Sequence, residues 1–370
     1  MAGITPIVMP KWGLEMREGT ISGWLVDEGA RIEVGTPIVD VETDKISNAV
    51  EAPDPGLLRR CVAKPGETLP VKALLGVLAE PDVSDADIDA YIAAYVVPDA
   101  ADVGDDAGPA YRFVDVGDIR VRYSRKGAVG GTPVLLIHGF GGDLDNWLFN
   151  LDALAEKLPA VALDLPGHGQ SSARLPGTTV AALAGFVARF MDAIDVPEAH
   201  LVGHSLGGAI ASQLALDAPS RVASLALICS AGLGPEISGA YIDGFVSASS
   251  RRELKPVLEQ LFANPELVSR QLVDDVLKYK RLDGVPEVLG ALARSVFAGG
   301  RQAEQPGLRL GETAKPVLVI WGRDDRIVPA AHSHHAPRGA TVEVFDGAGH
   351  MVQMEKANDV NRLLLRHAVG

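Results

Sequence analysis

The sequence predicts two folds in tandem, an all-β sandwich or flattened barrel over residues 1–80 and an alternating α/β sheet with a helical cap over residues 111–370. Over the first stretch, short apolar runs are punctuated by glycine and proline turns. From residue 111 on, strand-length apolar runs alternate with amphipathic helical stretches, the pattern of a sheet whose crossovers are helices. Between the two, residues 81–110 hold eight aspartates and no lysine or arginine, a break in composition that marks an acidic linker.

In chain order, residues 4–9, 21–26, 37–41, 46–50, 57–62 and 74–79 read as strands. Gly19 and Gly56 open equivalent runs on either side of a central hairpin, a quasi-repeat that suits a small sandwich. Inside the linker, Ile88, Tyr91, Ile92, Tyr95 and Val96 fall at helical spacing and predict a short amphipathic helix. Like charges are expected to keep the rest extended, a tether of some thirty residues. A hairpin follows over residues 111–125, with Asp118 in its turn. Residues 133–137, 160–163, 200–203, 222–229, 316–321 and 341–345 read as mostly buried parallel strands. Helices are expected over residues 147–158, 180–194, 206–217 and 358–367. From about residue 232 to 310 the strand pattern gives way to helical stretches, an insertion placed to cover a site at the strand ends.

Composition narrows the function. An apolar fraction of 47% supports real cores, and no apolar run approaches the ~20 residues of a membrane helix. A net charge of −14 argues against nucleic acid as a partner. The start of the chain lacks the basic and apolar segments of a signal peptide. Cys61 and Cys229 fall in different predicted domains, so no disulfide is expected, which suits a reducing cytoplasm.

Two motifs carry chemistry. In the first, Val39, Val41 and Thr43 alternate with Asp40, Glu42 and Asp44, and the alternation resumes after Lys45 with Ile46, Asn48 and Val50. Asp44-Lys45 falls where the strands must reverse, which pushes the amine into solvent on a rigid turn. With the tetrad Glu42-Thr43-Asp44-Lys45, residues 1–80 resemble the lipoyl domains of 2-oxo acid dehydrogenase complexes. The resemblance implies that Lys45 carries amide-linked lipoate. Biotinyl domains share the fold but present Met-Lys-Met at the turn, which Asp44-Lys45-Ile46 does not match. Ala49 stands where many lipoyl domains carry an acid that tunes recognition by partner enzymes.

The second motif is Gly203-His204-Ser205-Leu206-Gly207. Its glycines permit a strained turn from strand to helix that lifts the serine hydroxyl out of the backbone. A serine so placed needs a base to take its proton and an acid to orient that base. A buried strand ends in Trp321-Gly322-Arg323-Asp324-Asp325, and the last strand is followed by Gly347-Ala348-Gly349-His350. Residues 111–370 resemble an α/β-hydrolase. The resemblance implies Ser205 as nucleophile, Asp325 as the acid, with Asp324 as the alternative, and His350 as the base. His138-Gly139-Phe140-Gly141-Gly142 follows another strand, and its glycines let the backbone approach a developing oxyanion. The N–H groups of Phe140 and Leu206 are the expected donors, each worth about 3 kcal/mol in such a site. The run from Asp164 to Ser171 matches the family as a structural turn, so no catalysis is expected of His168. His332, His334 and His335 read as an exposed helix start with no carboxylate or cysteine at zinc spacing, so no metal is expected.

A lipoyl domain followed by an α/β-hydrolase resembles the acyltransferase component of acetoin-cleaving dehydrogenase complexes. That resemblance implies an acetyl group moved from the lipoyl arm to coenzyme A through the triad, a small-molecule acyl thioester as substrate, and two partner enzymes. One is a thiamine diphosphate-dependent dehydrogenase component and the other a dihydrolipoyl dehydrogenase. The usual acyltransferases of such complexes carry His-x-x-x-Asp-Gly near the C-terminus, and this chain does not. Two rival readings share the same residues: a serine hydrolase of esters or thioesters docked by its lipoyl domain, and a non-catalytic carrier or scaffold.

Overall fold

Alternating buried and exposed side chains shape the first part of the chain into eight strands: β1 (Ile4–Val8), β2 (Glu18–Trp24), β3 (Arg31–Ile32), β4 (Pro37–Glu42), β5 (Ser47–Glu51), β6 (Gly56–Cys61), β7 (Thr68–Pro70) and β8 (Leu74–Ala79). These come from a computed structural model that describes residues 3–12, 16–43, 47–98, 111–128 and 130–369. The strands form two four-stranded sheets, in the orders β1-β8-β6-β3 and β5-β4-β2-β7. Ile7, Ile21, Ile32, Val41, Leu58 and Leu75, one from each of six strands, share one buried core. The sequence reading lacks β3 and β7, because strands of two and three residues are too short to show a period. In the β4–β5 pair Glu42 faces Ser47, both exposed, so four residues join the strands at a solvent-facing end. Lys45 is among those four and lies outside the described residues.

Helix α1 (Asp85–Ala94) follows, with Ser84 accepting from the Asp87 N–H as its cap. Ile88 is fully buried against Leu74, Val77 and Ala79, with Tyr91, Ile92 and Tyr95 packed beside it. Arg59 donates to the carbonyls of Glu80 and Val83 and to Asp85, and Arg60 pairs with Asp85 and Asp89. The Tyr95 hydroxyl donates to the Lys72 carbonyl at 2.8 Å. The acidic run is therefore partly neutralised on the β-sandwich. Limited proteolysis is expected to cut first between residues 97 and 110, where these apolar contacts have ended. A first cut within α1 would mean that the helix does not hold to the sandwich.

The remaining strands are β9 (Arg112–Val116), β10 (Ile119–Lys126), β11 (Val134–Ile137), β12 (Ala160–Leu163), β13 (Ala199–His204), β14 (Val222–Ile228), β15 (Val317–Gly322) and β16 (Thr341–Phe345). They form one sheet in the order β16-β15-β14-β13-β11-β12-β10-β9, parallel from β12 to β16. Gly117 and Asp118 make the turn of the β9–β10 hairpin, where Val116 faces Ile119. Helices α2 (Leu151–Ala155), α3 (Val180–Ala193) and α4 (Leu206–Asp217) cross between strands, and α5 (Gly239–Ser247), α6 (Arg251–Leu258), α7 (Arg270–Lys280) and α8 (Val285–Val296) form the cap between β14 and β15. Helices α9 (Val352–Glu355) and α10 (Ala357–Val369) close the chain. Strand β16 departs from the buried character expected of it. It is the sheet edge, and Thr341, Val342 and Glu343 are exposed. The chain divides into two compact units, Met1–Gly108 and Pro109–Gly370. Among the described residues no helix is long and apolar enough to cross a membrane.

A buried ion pair holds the active end of this sheet. Arg122 Nε and Nη2 donate to the two Asp164 oxygens at 2.6 and 3.2 Å, with both side chains almost fully buried. The same carboxylate accepts from the N–H groups of Leu144 and Gln170. It thus ties β10, the turn at residues 164–171 and the loop after β11 together. Arg122→Met is expected to destabilise this unit by about 3–5 kcal/mol, because it leaves a buried carboxylate without its counter-charge. A melting curve within a degree of the parent would show that main-chain donors suffice.

Candidate active site

Strand β13 runs into α4 through Ser205, whose φ of 53° and ψ of −119° lie where non-glycine residues rarely go. Glycine is required at position 207, since a Cβ there would drive into the main-chain carbonyls of Ile137 and His138. The strand and helix are thereby brought close enough to form a sharp elbow. Ser205 itself is 5% exposed, with its N–H bonded to the Ile228 carbonyl.

Asp325 lies in the turn after β15 and is held from several sides. Its Oδ1 accepts from the N–H groups of Ile327 and Val328 at 2.8 and 3.0 Å, and its Oδ2 accepts from Trp321 Nε1 at 3.1 Å. His350 Nδ1 lies 2.8 Å from the same Oδ2, and both side chains are buried. The imidazole therefore donates from Nδ1, which leaves Nε2 free to act as a base. The structure brings Asp325 and His350 together. Asp324 instead offers its N–H to the Ala348 carbonyl and is exposed. Ser205 Oγ makes no hydrogen bond to His350 among the described residues, a contact that often closes only when substrate is bound.

Sequence reasoning missed three neighbours of this pair. Trp321 holds Asp325 as described. Cys229, at the end of β14, has its sulfur within 4.8 Å of the Asp325 and His350 donor atoms. Burial, with the Asp325 charge beside it, pushes this thiol well above the ordinary range and keeps it neutral. His204 Nε2 lies 2.9 Å from the His350 carbonyl oxygen, with the two rings 4.7 Å apart. Burial holds His204 well below the usual histidine range, so it stays neutral and donates from Nε2. The one available signal was position: Trp321 ends the acid-bearing strand and His204 precedes the serine. Trp321→Phe is expected to lower kcat about tenfold with the fold retained, the value of one hydrogen bond to a charged group at roughly 1.5 kcal/mol. An unchanged kcat would show that the Ile327 and Val328 N–H groups hold Asp325 unaided.

Leu206 follows the serine, and Gly139, the residue before Phe140, lies against it, since a Cβ there would come 2.9 Å from Ser205 Cβ. Leu206 is the first residue of α4, so its N–H points out of the helix with no in-helix acceptor. The Phe140 ring lies edge-on to Phe245 and Phe297 of the cap, each 5.8 Å away between centroids. The cap thus rests directly on the loop that follows β11. Lys280 of α7 steadies this contact by donating to the Phe245 and Ala248 carbonyls at the end of α5. His168 is fully buried, held at about 4 by that burial, and bonded through Nδ1 to the Pro166 carbonyl. It has a turn-forming role, as does His138, which accepts the Leu165 N–H at Nε2. Of the three histidines near residue 333, His334 and His335 are exposed, and only His332 departs from the reading of an exposed helix start. His332 is 3% exposed and lies 2.7 Å through Nε2 from Glu236, a carboxylate 96 residues earlier in the chain.

Fold and sequence together define an α/β-hydrolase-type unit joined to a unit of the lipoyl type. Comparison with known proteins agrees. A family model described as the alpha/beta hydrolase fold matches residues 132–357, and one described as biotin-requiring enzyme matches residues 5–78. The chain is 65% identical to the dihydrolipoyllysine-residue acetyltransferase component of the acetoin cleaving system of Cupriavidus necator, over 99% of this chain and 98% of that protein. It is 49% identical to the component of the same description from Pseudomonas putida, over 99% and 98%. Among solved structures, a 2-hydroxy-6-oxo-6-phenylhexa-2,4-dienoate hydrolase from a Rhodococcus strain superposes with a TM-score of 0.64 at 26% identity, covering 70% of this chain and 98% of that one. The chain belongs to the family of dihydrolipoyllysine-residue acetyltransferase components of acetoin cleaving systems.

Proposed function

We propose that the protein moves an acetyl group from its lipoyl-lysine to coenzyme A in an acetoin-cleaving complex, with Ser205 as nucleophile, His350 as base and Asp325 as the acid that orients it. The observation that carries this reading is the buried His350–Asp325 pair at the strand ends beside the strained Ser205 turn, in a chain that also bears a lipoyl-type hairpin. Lipoate amide-linked to Lys45 supplies a thiol that carries the acyl group as a thioester. The ends of β4 and β5 fit this attachment, since Glu42 and Ser47, between which Lys45 falls in sequence, are exposed.

His350 Nε2 takes the Ser205 proton as Oγ attacks the thioester carbonyl, and the N–H groups of Phe140 and Leu206 face the oxyanion. The protonated imidazole then returns the proton to the departing thiol, leaving acetyl on Oγ. Coenzyme A repeats the sequence in reverse: His350 removes its thiol proton, the sulfur attacks the acetyl-serine, and Ser205 regains its proton. Phe140, Phe245 and Phe297 present an apolar cover that favours a thiol over water as acceptor. A thiamine diphosphate-dependent component loads the arm and a dihydrolipoyl dehydrogenase reoxidises it. An acidic chain with two free cysteines suits the cytoplasm.

The deciding experiment gives the lipoylated protein a labelled acetyl thioester and coenzyme A and measures both products. Labelled acetyl-coenzyme A is the expected main product. Labelled acetate in its place would convert the reading to a hydrolase docked by its lipoyl domain.

A further inference from the structure

The chain around His350 is held at three successive residues, two of them by groups tied to the cap. On the near side the Gly349 N–H donates to Glu355 Oε2 at 2.7 Å. At His350 itself, His204 Nε2 donates to the carbonyl. On the far side the Met351 N–H donates to the carbonyl of Leu261, a cap residue, at 3.1 Å. The other oxygen of Glu355 accepts the N–H of Ala263 at 2.8 Å, so one carboxylate bridges the base-bearing loop and the cap. The Asn264 N–H also supports it. The two segments touch closely enough that a Cβ at Gly349 would lie 2.7 Å from the Ala263 nitrogen and 2.9 Å from the Leu261 oxygen, both main-chain atoms. Residues 261–264 thus form a strap between α6 and α7 pressed onto the chain entering His350, with Phe262 1% exposed beneath it. Burial of Glu355 pushes its carboxyl up, while the three N–H groups and Lys356 pull it back. A carboxylate kept in such a place at a solvation cost is there for the donors that it joins.

We propose that Glu355 is a positioning residue that couples the cap to the catalytic base, holding His350 ready for proton transfer only while the strap at residues 261–264 is seated. The inference rests on the reading of Ser205, His350 and Asp325 as the acyl-transfer triad. It makes seating of the cap, which also delivers Phe245 and Phe297 to Phe140, the event that completes the base. The site would then be reactive when covered and idle when open, which suppresses loss of the acyl group to water.

The test uses the full-length protein and acylation by p-nitrophenyl acetate, which reads the nucleophile and base whatever the natural acyl donor is. Glu355→Gln keeps the shape but turns an N–H donor toward at least one of the three N–H groups. It is expected to slow acylation at least tenfold with KM changed less than threefold and the melting temperature near the parent's. Amide hydrogen exchange at residues 261–264 and 349–351 should speed up together. Glu355→Asp, still a carboxylate, should recover part of the rate. Acylation at the parent rate, or slowed acylation with the strap as protected as before, overturns the coupling. Should Glu355→Gln fail to fold, Gly349→Ala decides, since its new Cβ displaces the strap while the carboxylate stays. Slow acylation then supports the coupling, and the parent rate with a displaced strap overturns it. Ser205→Ala serves as the control: if it is acylated as fast as the parent, the triad reading fails instead.

Discussion

Ser205→Ala is expected to lose transfer of acetyl to coenzyme A by about four to six powers of ten, the scale on which removal of a triad nucleophile acts. The fold should be retained. The serine lies at a turn whose geometry is set by Gly207 packing and by the Ser205 main chain, and alanine preserves both. Its positive φ strains alanine no more than serine. Lipoylation of Lys45 and loading of the arm should also survive, since they occur on the other unit. His350→Ala should fall by a similar factor, and the double variant should be little worse, because nucleophile and base act as one device. The measurement is single-turnover transfer from acetyl-lipoyl protein to coenzyme A. Transfer by Ser205→Ala near the parent rate would mean that coenzyme A attacks the thioester directly, and the buried His350–Asp325 pair would then need another purpose.

What could be read in the chain and what could not follow the range of the interactions involved. The elbow was legible because its constraint is local: a strand, a positive-φ residue between glycines, and a helix lie within a dozen residues. Likewise the parallel strands β11, β12 and β15 are buried throughout and show as apolar runs, with β13 and β14 interrupted only by His200 and Ser224 in their first halves. Strand β16 shows the limit. Thr341-Val342-Glu343-Val344-Phe345 has strand composition, but its exposure follows from its place at the sheet edge, which is a tertiary fact. His332 was misread for the same reason, since its partner Glu236 lies across the cap junction. His204 and Glu355 work through hydrogen bonds to atoms that only the fold brings near, so no spacing rule could select them, whereas Trp321 bonds to Asp325 only four residues on. The acidic stretch was half legible. Its helical spacing shows in Ile88, Tyr91 and Ile92, but Arg59 and Arg60, which anchor it, come from β6.

Lys45→Ala is expected to separate the two halves of the reaction completely. The alternation of β4 and β5 brings the chain to a short connection at the exposed ends of Glu42 and Ser47, and only one lysine falls there. Tethering is what makes transfer fast. A carrier and an acceptor site on one chain meet at an effective concentration in the millimolar range rather than at that of a free thioester. Without Lys45 no lipoyl adduct should appear in the intact mass of protein made in a lipoate-competent host, and turnover in the assembled system should fall to background. The hydrolase unit should be untouched, because the substitution lies on the other unit. Acylation of Ser205 by p-nitrophenyl acetate, and transfer from free acetyl-dihydrolipoamide at high concentration, should therefore match the parent. That pattern, an intact triad with nothing delivered to it, distinguishes a carrier lysine from a residue needed for folding, which would depress both assays. If Lys45→Ala still gains the lipoyl mass or sustains turnover in the assembled system, the carrier is another lysine, and the assignment of the β4–β5 connection is wrong.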